Sequence, residues 1–365
     1  MAFEDKKKRI LVFRIGHLGD TLIALPAFWT LRKTFPEAHL ALLSNVNEQN
    51  PNFVQAQSVL PKTGLFDEWI SYPSLNSQKK LLEKLPKLLL KLRQARFDTL
   101  VYLTTRNRSL NQLKRDLLFF RLAGIKKTIG IKNLESELLK TDAPRPLPEI
   151  KTEAQFLLDC LQRDGIEKSE TASLLHFSPN ETEFAQNWLR KNCLTEWAEN
   201  RLVGIAPGAK WDSKIWPEER FAETGNRLIK EFNAFPVIFG GSEDRAKGNR
   251  LIELWQKGAN AAGELNIRPA AAALAECRFY LGNDTGTMHL AACVGRPCVV
   301  VFASIDWNGR WYPFGAGHRV FRSVVPCEGC LSENCLNPDK NLCLTKIDTE
   351  SVWQACRQVW EETAR

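Results

Sequence analysis

Three short stretches hold residue types able to carry out group transfer. In FYLGNDTGTMHLAACVG, Asn283, Asp284, Thr285 and Gly286 stand where an apolar strand-like run gives way to a helix-like one. Free backbone N–H groups and the positive end of a helix meet at such a junction. Gly286 admits close approach of a ligand, Thr285 adds a hydroxyl, and His289 follows one helical turn later on the same face, a set suited to a diphosphate. The plainer alternative is that Asp284 or Thr285 caps the helix and His289 is a satisfied core histidine.

The second stretch is APGAKWDSKIWPEERF, where Pro217 fits the first helical position and Trp216 the cap, leaving Lys214 just outside a helix N-terminus. A cation beside free amides is a phosphate site, although a solvated lysine in a tight loop reads the same way. Two such loops at the carboxyl ends of strands in one sheet favour ligand binding. After PVIFGG, an acid among Ser242, Glu243 and Asp244 is placed to accept hydrogen bonds from ribose hydroxyls, or simply to start a helix.

The third stretch, RIGHLGDT, joins a strand to a helix through Gly16 and Gly19 and carries Asp20 directly after the second glycine. Its glycines are spaced G-x-x-G, not G-x-G-x-x-G, and a carboxylate there would repel a pyrophosphate. Asp20 is thus a helix cap or a general base held against an acceptor hydroxyl.

These loops require alternating strands and helices around them. A strand at Ile10–Ile15, a helix from about Asp20 to Phe35 and a strand at His39–Ser44 form a βαβ unit, followed by a strand at Phe97–Thr104, a helix near Ser109–Ala123 and the short strand TIGI. The proline-rich TDAPRPLPEIK and two helices, Ala154–Asp164 and Glu181–Lys191, bridge to a second α/β series that starts at Arg201. The expected fold class is α/β, with two Rossmann-like domains facing each other across a cleft. A closing amphipathic helix covers Asp348–Thr363.

The chain has 365 residues, 44% hydrophobic and 25% charged, enough for two cores, and its net charge of +8 favours an anionic partner. It shows no recognisable nucleic-acid motif or stacked-aromatic signature, so no nucleic-acid partner is expected. No run reaches the roughly 18 apolar residues of a membrane span, and MAFEDKKKRILVF lacks a signal-peptide core, so a cytoplasmic location is expected. The helix KKLLEKLPKLLLKLRQAR aligns Leu81, Leu85, Leu88 and Leu92 beside Lys80, Lys84, Lys87 and Lys91. It either lies peripherally on an anionic bilayer or packs its leucines on the first sheet.

Six of the ten cysteines are scattered as in a protein of a reducing compartment. The other four, Cys327-x2-Cys330-x4-Cys335-x7-Cys343, cluster in a loop rich in Asn, Pro and Gly. Their spacing suits a structural zinc or iron, or a set of unligated or redox-sensitive thiols.

Taken in order and at their separations, RIGHLGDTLIALPAFWTLRKTFP, PGAKWDSKIWP and GNDTGTMHLAA resemble the ADP-heptose:lipopolysaccharide heptosyltransferase family, family nine of the glycosyltransferases. The resemblance implies a GT-B fold, with an N-terminal Rossmann-like acceptor domain over 1–180, a C-terminal nucleotide-sugar domain over 181–347 and a closing helix over 348–365. It makes Asp20 the catalytic base and Arg14 an acceptor-binding residue. Lys214, Asp284, Thr285, Gly286 and His289 become the donor pocket, with Glu243 (or Ser242 or Asp244) on the ribose and Leu265 against the base. Thr287 stands where many relatives carry proline.

The implied activity is inverting transfer of heptose from ADP-heptose to a lipopolysaccharide core or related acceptor, lipid-linked or glycan. No cofactor is expected for catalysis, since Lys214 and two helix N-termini would neutralise the leaving group and no Asp-x-Asp pair is present to hold a divalent ion. The alternatives are another nucleotide sugar, a protein acceptor, a non-catalytic nucleotide-sugar binder and a nicotinamide dehydrogenase.

Overall fold

The computed structural model describes residues 7–47, 53–73, 78–139, 145–169 and 174–363. The chain divides into two compact units, Met1–Asp142 with Glu153–Leu174, and Ala143–Thr152 with Leu175–Arg365.

The first unit is built on β1 (Arg9–Phe13), β2 (His39–Val46), β3 (Glu68–Pro73), β4 (Thr99–Tyr102) and β5 (Lys127–Ile129). They form one parallel sheet in the order β3-β2-β1-β4-β5. Runs such as LVF and LALL are apolar at every position because neither face of these strands meets water. Phe13, at the end of β1, contacts Tyr72, Tyr102 and Phe120 at ring separations of 5.1–5.6 Å, locking the strand that carries the first loop.

The single helix expected between Asp20 and Phe35 is two, Leu18–Leu22 and Leu25–Thr34. Pro26 lies in the first turn of the second, where its missing N–H costs nothing, so the chain restarts there. In the helix Gln78–Ala95, Leu88 and Leu92 are buried and Leu90 is exposed. Leu88 and Leu92 of the leucine stripe thus face inward within their own unit, as in a helix packed on its sheet, and Leu85 is half-buried. The side chains of Lys80 and Leu81 lie outside the described residues.

The second unit holds β6 (Leu202–Ala206), β7 (Phe235–Ile238), β8 (Ala259–Asn260), β9 (Tyr280–Asn283), β10 (Cys298–Phe302) and β11 (Arg319–Arg322), parallel in the order β11-β10-β9-β6-β7-β8. The closing helix, Thr349–Glu362, is capped by Asp348 and belongs to this unit's core. There Trp360 stacks on Phe232 of the helix Glu218–Phe232 at 5.1 Å. The helix Pro179–Ala198 is fastened to Ile267–Leu274 by Glu181 and Arg268, 2.6 Å apart, and the guanidinium's hydrogen bond pulls the Glu181 carboxyl down to about 2. Among the described residues no helix is long and apolar enough to cross a membrane.

Candidate active site

In the second sheet the strand order reverses between neighbours β6 and β9, and in open α/β sheets ligands bind beyond the carboxyl ends of strands at such a point. Asn283, the last residue of β9 and fully buried, ties the two loops that border it. Its Nδ2 donates to the Pro207 and Gly208 carbonyls at 3.1 and 3.2 Å, and its Oδ1 accepts the Trp216 N–H at 3.1 Å. Trp216 is therefore not the cap, and Pro217 not the first helical residue: Trp216 is buried, its indole donates to the Ile347 carbonyl, and Pro217 takes the cap position before the helix Glu218–Phe232. Sequence reasoning gave Asn283 no role, because its partners lie about seventy positions upstream and meet it only through the strand order.

Lys214 ends a single 3-10 turn, Asp212–Lys214, and its Nζ lies 2.6 Å from Asp284 Oδ2 and 5.3 Å from the Trp211 ring centroid. Lys214 keeps a fifth of its side chain exposed, while Asp284 is nearly covered. The cation proposed from one motif and the acid from another are thus one pair, with the ammonium on the open side. Thr285 precedes the helix Gly286–Cys293, yet its hydroxyl does not cap that helix; it bonds the Thr287 hydroxyl at 2.6 Å, itself 3.2 Å from Tyr280 Oη. His289 is buried one turn in, and burial, reinforced by Lys214 and His318, lowers its pKa to about 3, so the imidazole is neutral at ordinary pH.

The loops after β7 and β8 border the same sheet edge. Glu243 is exposed, whereas Asp244 turns inward and accepts the Gly241 N–H at 3.1 Å. A Cβ on either Gly208 or Gly240 would overlap the Asp244 carboxylate, whose pKa burial raises. Of the three ribose candidates, Asp244 is committed to joining the β6 and β7 loops, which leaves Glu243 and Ser242 at the surface. Gly263 adopts φ +71° in the turn after β8, where a Cβ would stand 2.8 Å from Ser242 Cα, and the nearby Leu265 is 8% exposed. Ser242, Glu243 and Leu265 are brought to adjoining turns.

In the first unit the corresponding reversal lies between β1 and β4. Gly16 at φ +150° lets Asp20 fold back over it, since any Cβ there would overlap the Asp20 side chain. Asp20 is the third residue of the helix Leu18–Leu22, and its Oδ2 accepts the His17 N–H at 2.8 Å. Its Oδ1 lies 3.6 Å from the guanidinium of Arg14, a buried side chain that also donates to the Asp20 and Leu103 carbonyls at 3.0 and 3.3 Å. The capping interaction and the placement of a carboxylate at the end of β1 are one arrangement, with 17% of the Asp20 side chain exposed. Arg14, read as an acceptor ligand, is deeply buried and holds Asp20 and the loop after β4.

Cys327, Cys330, Cys335 and Cys343 are free thiols that line one small cavity in the second unit. Among the described residues no group of three or more His, Cys, Asp or Glu side chains stands at distances that hold a metal ion.

Comparison with known proteins adds independent evidence. The family model of glycosyltransferase family 9 (heptosyltransferase) matches residues 85–340, well over half of the chain. A lipopolysaccharide heptosyltransferase 2 of Salmonella typhimurium is 34% identical over 138 residues, a segment that covers 35% of this chain and 38% of that protein. Among solved structures, a family 9 glycosyl transferase from Veillonella parvula superposes with TM-score 0.76 at 22% identity, covering 99% and 100% of the two chains. The E. coli ADP-heptose lps heptosyltransferase II superposes at 0.65 with 20% identity over 98% and 100%. Both structures show the same fold, the GT-B arrangement of two Rossmann-like domains. The chain belongs to glycosyltransferase family 9, the heptosyltransferases.

Proposed function

We propose that the protein is an inverting glycosyltransferase that moves heptose from ADP-heptose to a lipopolysaccharide-core acceptor, lipid-linked or glycan, at the inner face of the cytoplasmic membrane. The observation that carries this reading is the Lys214–Asp284 pair at the head of the helix Gly286–Cys293, where strand order reverses. Family membership supplies the substrate class, and the donor named for the E. coli relative supplies the nucleotide.

In this mechanism Asp20 takes the proton of the acceptor hydroxyl as its oxygen bonds to the anomeric carbon. The bond from that carbon to the β-phosphate oxygen breaks with inversion, and ADP departs. Lys214, the first amides of the helix Gly286–Cys293 and the neutral His289 receive the charge that builds on the diphosphate. Because Lys214 already pairs with Asp284, the donor shares its ammonium, and Asp284 keeps the cation aimed when no donor is bound. Ser242, Glu243 and Leu265 serve the ribose and the base. Arg14 acts on the acceptor side through Asp20, whose carboxylate it steadies. No added divalent ion is needed when a lysine and a helix N-terminus serve the leaving group.

The test is calorimetry with ADP, UDP, GDP and NAD, followed by turnover of ADP-heptose without added Mg2+ or Mn2+. Selective ADP binding with transfer is expected. Tightest binding of NAD, or turnover that appears only with an added divalent ion, overturns the corresponding part of the reading.

A further inference from the structure

We propose that Tyr280, Thr287 and Thr285 form a hydroxyl relay that ends on the donor diphosphate, with Thr285 touching it and Tyr280 and Thr287 acting behind it as positioning residues. The relay presupposes the donor-site reading above and extends it into the sheet. Tyr280 opens β9 and is fully buried. Residues two apart on a strand share a face, and two positions beyond Tyr280 stands Gly282. A Cβ on Gly282 would lie 2.3 Å from Tyr280 Oη, so the absent side chain is the space along which the phenol runs. Its hydroxyl thereby reaches the junction with the helix Gly286–Cys293.

The direction of the relay follows from one proton per hydroxyl. Thr285 donates to the Asn283 carbonyl at 3.4 Å, so Thr287 is the donor in the 2.6 Å bond between the two threonines. Tyr280 is then the donor in its 3.2 Å bond to Thr287. Burial raises the Tyr280 pKa, which keeps that proton in place.

Thr287 alone satisfies the buried phenol, yet the series continues to Thr285, half-buried and adjacent to Asp284 of the Lys214–Asp284 pair. It ends there on its longest bond, near the limit of hydrogen-bond length. A phosphate oxygen at the head of the helix takes the Thr285 proton in a shorter, charge-assisted bond. Hydroxyls in series polarise one another, so Thr285 donates more strongly than a lone threonine would. Every hydroxyl keeps its own proton; donor binding only redirects the last hydrogen bond.

Calorimetry on the full chain with ADP and with adenosine, which lacks the diphosphate, tests the relay. Tyr280→Phe keeps the ring and should weaken ADP binding about 3–10-fold, the range of one hydrogen bond, while adenosine affinity stays unchanged. In a Thr285→Val background the same substitution should change ADP affinity by less than about 2-fold, because the relay has lost its exit. Unchanged ADP affinity in a folded Tyr280→Phe chain, equal losses for ADP and adenosine, or the full Tyr280→Phe loss persisting beside Thr285→Val overturns the relay. Thr287→Val should reproduce the ADP loss and Thr287→Ser should restore the affinity, a pair that decides the matter if Tyr280→Phe does not fold. Equal ADP affinity in the valine and serine variants overturns the relay. Failure of the unaltered chain to bind ADP overturns the donor reading, whereas ADP binding that none of these hydroxyls affects overturns the relay alone.

Discussion

Both units place a loop beyond a parallel sheet where strand order reverses, one after β1 and β4, the other after β6 and β9. In the first, a buried guanidinium lies behind and a carboxylate stands partly in front: Arg14 is covered and Asp20 faces out. In the second the order is inverted, with Asp284 covered and the Lys214 ammonium on the open side. The same topology supplies the address in both cases, and which member of an ion pair is left exposed sets the chemistry. An exposed carboxylate suits proton removal from a hydroxyl, and an exposed ammonium beside helix amides suits a diphosphate.

The sharpest way to break this comparison is to neutralise the exposed member of each pair. Asp20→Asn should lower kcat about 10²–10⁴-fold, while calorimetric ADP affinity stays unchanged. Loss of ADP affinity in that variant would mean that the division of labour between the loops is wrong. Lys214→Met should instead weaken ADP binding about 10–100-fold, the range for one charge-assisted hydrogen bond. Adding Asp284→Asn distinguishes the two roles of the lysine. If Lys214 only satisfies Asp284, the double variant recovers ADP affinity; if it binds diphosphate, the deficit persists.

The apolar runs of β1, β6, β9 and β10 and the junctions carrying Asp20 and Asp284 were legible in the sequence, because buried parallel strands and glycine-marked turns leave local signatures. β3, β8 and β11 were not anticipated, and β8 spans only two residues, too few for a periodic pattern. The break before Pro26 was missed because a proline in a first turn also fits a continuous amphipathic pattern. Pairing of Lys214 with Asp284 was hidden because it depends on β6 and β9 becoming neighbours, a tertiary fact with no local trace. The choice between Glu243 and Asp244 was undecidable for the same reason. Only the fold reveals that Gly208, in another loop, leaves the space that Asp244 fills.

That space offers a smaller perturbation. Gly208→Ala puts a methyl where the Asp244 carboxylate sits, and overpacking of this kind costs about 1–3 kcal/mol. In the first unit, Gly16→Ala does the same to Asp20. The comparison predicts separable outcomes: Gly208→Ala weakens ADP binding and spares proton removal in donor-saturated turnover, and Gly16→Ala lowers kcat at unchanged ADP affinity. Matching defects in both parameters for both variants would show that the glycines serve only general folding.

The smallest effect concerns His289. Its folded-state pKa of about 3 lies below the ordinary 6.5, so the unfolded chain takes up a proton between these values that the folded chain refuses. This group's contribution to stability is therefore fully present above pH 6.5 and is lost progressively as pH falls toward 3. One proton of difference amounts to about 1.4 kcal/mol per pH unit within that window, or roughly 2–4 °C in Tm for a unit of this size. His289→Asn removes the term while leaving every other titrating group in place. Thermal melts from pH 7.5 to 4.5 should show the unaltered chain losing Tm more steeply on acidification than the variant, with parallel curves above pH 7. Parallel curves throughout would mean that His289 takes up its proton in the folded state, adding a second cation beside Lys214 and ending the picture of a neutral donor at the diphosphate.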